Sequence, residues 1–99
     1  MFLHNVTYWL RPDLTPAEKE IFFAGIADLM KLRSVKQAWF GPRAGDDPHA
    51  DQTFDYCLVL DLRDAAGHDD FQIDPEHQRI RDTIGGSWSR LLIYDVVPT

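Results

Sequence analysis

Ninety-nine residues, 44% apolar and 26% charged, suit one globular domain over residues 1–99. A fold this small buries about two-thirds of its extended-chain surface, a thin margin that a partner subunit often supplements. The formal charge of −6, without a basic stripe, works against nucleic acid, no run approaches the about 18 apolar residues of a membrane span, and the lone Cys57 has no intrachain partner, so a cytoplasmic protein is expected.

The first ten residues carry His, Asn and Thr where a secretory leader needs an apolar stretch. Leu3 to Leu10 reads as a strand, with Phe2, His4, Val6, Tyr8 and Leu10 on one face and Leu3, Asn5, Thr7 and Trp9 on the other. Thr15-Pro16-Ala17-Glu18 is a helix start: Thr15 caps, Pro16 gives up an amide that had no partner, and Glu18 completes a capping box. The helix is expected to reach about Leu32, with Phe22, Ile26, Leu29 and Met30, joined by Ile21 or Phe23, on its packing face. Gly25 inside it costs about 1 kcal/mol in propensity, which points to close packing or to simple tolerance.

Ser34 to Phe40 is expected as a second strand closed by Gly41-Pro42, and Arg43 to Gln52 as a surface loop. Thr53 to Arg63 alternates Phe54, Tyr56, Leu58, Leu60 and Leu62 against a mixed face of Thr53, Asp55, Cys57, Val59 and Asp61. Asp64 caps a short helix through Phe71, Pro75 interrupts it, and a further segment from Pro75 to Thr83 ends at Gly85-Gly86. Trp88 to Val97 is the last strand. The simplest burial scheme for this order is an α+β, ferredoxin-like layer: a four-stranded antiparallel sheet with both helical segments on one face. Its second face would stay wet in a lone domain, so two sheets are expected to pair across it as a homodimer.

Histidine titrates near neutrality, so His4 and His77 are the candidate proton carriers. If the terminal strands pair with matching faces, Asp95 accepts from His4 and fixes its tautomer; the alternative is a satisfied histidine at the edge of the core. His77, in a first helical turn, is favoured as the neutral ring, although Asp74 and Glu76 pull the other way and a merely solvated histidine is the rival. Tyr8, Tyr56 and Tyr94 are candidate donors, but their recurrence within strand alternation favours aromatic packing. Cys57 lacks a nearby base and reads as a small buried hydrophobe. His68-Asp69-Asp70 and His49-Ala50-Asp51 lack zinc or calcium spacing, and no phosphate loop, nucleotide fingerprint or serine elbow is present, so neither metal nor cofactor is expected.

Through His4-Asn5-Val6, Gly41, the run from Phe71 to His77, and Trp88 through Tyr94-Asp95, nearly the whole chain resembles the stress-responsive A/B barrel (Dabb) family. The resemblance implies a ferredoxin-like subunit that forms a dimeric α/β barrel, with an apolar pocket for a small aromatic or polyketide-like acid. Polyketide cyclases of this kind use a histidine in a Pro-x-His motif and a tyrosine six residues earlier in an aldol condensation. The histidine carries over onto His77; Phe71 stands at the tyrosine position and lacks its hydroxyl, and a second pocket tyrosine falls on Ile26. The resemblance also puts His4, Val6, Tyr8, Phe22, Phe23, Leu58, Leu60, Leu62, Trp88, Leu91 and Ile93 at pocket positions, with Asp95 as partner of the strand histidine. Ile80 joins the expected lining. The implied function is a cyclase-like enzyme with His77 as base and Tyr8 as the remaining donor; a non-catalytic ligand-binding or stress-response dimer and a cofactor-free monooxygenase are the alternatives.

Overall fold

The computed structural model describes residues 1–99, in the order β1 (Leu3–Leu10), α1 (Pro16–Leu29), β2 (Gln37–Pro42), β3 (Tyr56–Asp61), α2 (Ala65–Ile73), α3 (Pro75–Ile84) and β4 (Trp88–Val96). The four strands form one antiparallel sheet in the order β2-β3-β1-β4, the ferredoxin-like arrangement. No helix is long and apolar enough to cross a membrane.

Alternation decides which side chains meet the helices. In β1, His4, Val6 and Tyr8 face them, opposite Leu60, Leu58 and Tyr56 of β3 and Asp95, Ile93 and Leu91 of β4. Phe22 and Ile26 of α1, Phe71 of α2, and Ile80 and Ile84 of α3 close on that face and are buried. The opposite face keeps Trp39, Leu92, Tyr94 and Val96 between 43% and 50% exposed.

The Thr15 capping box forms in full: Glu18 N–H donates to Thr15 Oγ1 at 3.1 Å and Thr15 N–H to Glu18 Oε1 at 3.0 Å. The helix stops at Leu29, short of Leu32, because the chain tightens there: Lys31 N–H bonds the Asp28 carbonyl and Leu32 N–H the Leu29 carbonyl. Gly25 is a close-approach site. A Cβ there would lie 2.5 Å from Ile84 Cγ2, so its absence lets α1 and α3 meet.

Three strand limits differ from expectation. β2 begins at Gln37 and includes Gly41 and Pro42, which an edge strand tolerates because one row of its backbone amides has no ladder partner. β3 is only Tyr56–Asp61, since Asp51 holds the Thr53 amide in a local turn and Arg63 adopts a left-handed backbone with φ 79°. That turn is stitched by the buried Asp61 carboxylate, which accepts from the Arg63 amide at 2.9 Å and the Phe2 amide at 3.3 Å. β4 ends at Val96. Asp74 separates α2 from α3: it ends the first and caps the second, its Oδ1 accepting from Glu76 N–H at 2.9 Å.

Candidate functional site

Between the β1–β4 half of the sheet and α2–α3 lies a partly open cavity of about 210 Å³. An apolar cavity of about 150 Å³ already admits benzene, so this one has room for a small monocyclic ligand. Val6, Leu58, Leu60, Phe71, Trp88, Leu91 and Ile93 give it apolar walls, and His4, Tyr8, His77 and Asp95 add polar groups. A wider depression of about 700 Å³ beside the start of α3 is lined mainly by charged residues such as Asp28, Lys31, Arg33, Glu76 and Arg79.

Cross-strand register brings His4 and Asp95 directly opposite each other. Their side chains meet at 2.6 Å between Nδ1 and Oδ1. A carboxylate only accepts, so His4 carries its proton on Nδ1 and keeps a lone pair on Nε2 when neutral. Burial pushes the His4 imidazole below its ordinary pKa, against the raising influence of Asp95.

His77 reaches its place by helix geometry. Asp74 caps α3 and Pro75 opens it, which sets His77 in the first turn, stacked on Phe71 with ring centroids 4.0 Å apart. Its Nδ1 lies 2.9 Å from the Phe71 carbonyl oxygen, which fixes the proton on Nδ1 and again leaves Nε2 as the lone-pair nitrogen. The bond gives a second donor to the Phe71 carbonyl, which also accepts from the Asp74 amide at 3.4 Å at the end of α2. Burial lowers the His77 pKa, with the Phe71 carbonyl raising it and the nearby Arg81 charge lowering it. The ring is therefore neutral at pH 7, the state a general base requires. Burial pushes the Tyr8 phenol up, so Tyr8 stays a protonated donor.

Five residues expected in the lining are elsewhere. Phe22, Ile26, Leu62 and Ile80 are consumed in the close-packed core, because α1 lies across the β3 side of the sheet. Phe23 is 36% exposed and packs edge-on against Tyr56. Conversely, Leu29, His68, Gln72, Arg81 and Ile84 line the cavity without having been singled out for it. Leu29 carried a helix-face signal and His68 a ligand-type signal; Gln72 and Arg81 sit in polar runs whose facing depends on how the broken helix is turned.

Several solved structures share the fold. An Arabidopsis thaliana protein superposes with a TM-score of 0.86 at 17% identity, covering 100% of this chain and 96% of its own. A hydroxynitrile lyase from Passiflora edulis gives 0.84 at 13% identity, covering 99% and 93%. A dimeric ferredoxin-like protein of unknown function from Thermobifida fusca gives 0.79 at 19% identity, covering 98% and 90%. No curated protein matches. The family model for the stress responsive A/B barrel domain matches residues 2–98, and this chain therefore belongs to the Dabb family.

Proposed function

We propose that the protein is a small-molecule enzyme of acid–base type, in which His77 is the general base and the cavity takes a compact aromatic or polyketide-like acid. The observation that carries this reading is the bond from His77 Nδ1 to the Phe71 carbonyl, which leaves a neutral ring with a free Nε2 lone pair in a residue that lines the cavity. For a cyclase-like reaction, Nε2 takes a proton from the carbon next to a carbonyl. The resulting enolate carbon bonds to a second carbonyl carbon, and the alkoxide formed there is protonated by Tyr8 or by the histidinium. His4, held by Asp95, offers a further polar contact to the bound acid.

A second reading draws on the Passiflora edulis relative, which is a hydroxynitrile lyase. The same base would take the hydroxyl proton of an α-hydroxynitrile, and the carbonyl would form as cyanide leaves. In either case we propose a homodimer paired through the outer sheet face, where Trp39, Leu92, Tyr94 and Val96 are exposed; the Thermobifida fusca relative is described as dimeric. Barrel closure would follow from that pairing.

A thermal-shift screen of aromatic acids, linear polyketide thioester mimics and α-hydroxynitriles, followed by product analysis, tests the reading. Ligands that stabilise the protein and are turned over by wild type but not by His77→Ala support it. Stabilisation without product identifies a binding protein instead, and equal turnover by His77→Ala removes His77 as the base.

A further inference from the structure

His4, His68 and Asp95 come from β1, α2 and β4, and one ligand-type atom of each lies within 4.8 Å of the other two. Asp95 joins the pair: Oδ1 is 2.6 Å from His4 Nδ1, and Oδ2 is 3.6 Å from His68 Nε2. His68 Nε2 is also 3.1 Å from Gln72 Nε2. An amide nitrogen only donates, so with the Gln72 nitrogen facing the ring, His68 Nε2 is the acceptor and its proton sits on Nδ1. The Gln72 N–H then occupies the one lone pair of His68 Nε2, and Asp95 Oδ2, 3.6 Å away, receives no proton from that nitrogen. Gln72 is exposed, and turning its amide away frees that lone pair beside a carboxylate oxygen, two electron-rich atoms that together are a place for a cation.

We infer that His4, His68 and Asp95 form a binding site for a divalent transition-metal ion of the zinc class. Two imidazoles and one carboxylate suit such an ion, and three protein ligands leave a coordination position for the cavity that all three residues line. Metal–ligand bonds of about 2.0–2.2 Å put tetrahedral ligand atoms about 3.3 Å apart. The observed separations, from 2.6 Å to at most 4.8 Å, lie on either side of that value. The adjustment falls mainly to Asp95, whose side chain is 34% exposed on an edge strand and has room to turn. His68 is already held, stacked on Phe2 with ring centroids 4.8 Å apart. On binding, the ion takes the place of the proton on His4 Nδ1, which moves to Nε2 so that the ring stays a neutral ligand.

The site is independent of His77 as a base, and the experiment keeps the two apart. Untagged full-length protein is dialysed against Zn²⁺, the retained metal is measured, and the affinity is obtained by calorimetry. One ion per chain is expected. His68→Ala and Asp95→Asn should each weaken binding by about 10-fold or more. His77→Ala and the loop variant His49→Ala should bind as wild type does, with thermal melts reporting that each variant is folded. Retention well below one ion per chain, or wild-type affinity in His68→Ala, overturns the site whatever the outcome for turnover.

Discussion

Over β2 and β3 the space between sheet and helices is closed ring upon ring: Phe40 stacks on Tyr56 at 5.2 Å, Phe23 meets Tyr56 edge-on, and Phe22 is wholly buried beneath α1. Over β1 and β4, and reaching Leu58 and Leu60 of β3, the matching space is the cavity, and three of the four histidines in the chain line it. The same sheet thus carries a filled half and a hollow half. The cause is the placing of α1 over the β3 side, which leaves the edge strand β4 incompletely roofed, with Ile93 still 49% exposed. Packing density supplies stability on one side, and its absence leaves a hollow on the other.

If the halves divide labour in this way, they respond differently to truncation. Phe22→Ala on the filled side should cost about 3–5 kcal/mol, whereas Leu91→Ala, which widens an existing hollow, should cost no more than about 2 kcal/mol in denaturant unfolding. Equal losses would break the distinction. His77→Ala should lower turnover by about 100-fold or more while costing only about 1 kcal/mol of stability, the value of one hydrogen bond. Gly25→Ala probes the seam between α1 and α3: helix propensity favours alanine by about 1 kcal/mol, but the clash with buried Ile84 costs about 1–3 kcal/mol, so a net loss or near-neutrality is expected and a clear gain would contradict the close approach.

The smallest effect concerns pH. Burial disfavours the charged form of His77, so its folded pKa lies below the unfolded value near 6.5. The unfolded chain therefore takes up the proton first, and stability is lost as pH falls from about 6.5 through the folded pKa. Proton NMR should show the His77 ring titrating below 6.5, and His77→Ala should flatten part of the decline in melting temperature. A titration above 6.5 would contradict the burial argument.

Much of the hollow half was legible in the residues themselves. Alternation in β1 and β4 puts His4 and Asp95 on facing positions, and their pairing needs only that the terminal strands be neighbours. Pro75 sets His77 in a first turn. The division between halves was not legible, because Phe22 and Ile26 show the same apolar signal whether they wall a cavity or fill a core. Only the lateral position of α1 decides between the two. His68 was obscured for a related reason: α2 is short and has only two large apolar side chains, Phe71 and Ile73, so its inward face has no periodic signature until the helix is docked. Pro42 misled because its meaning in a strand depends on whether that strand is an edge, a property of topology rather than of local sequence.

The Phe71 carbonyl takes its bond from the one nitrogen of His77 that holds hydrogen in both charge states of the ring. Loading and unloading a proton at the opposite nitrogen therefore need not unfasten the imidazole from its anchor. A residue tied down in this manner returns to the same pose after each cycle, and the end of α2 stays secured throughout.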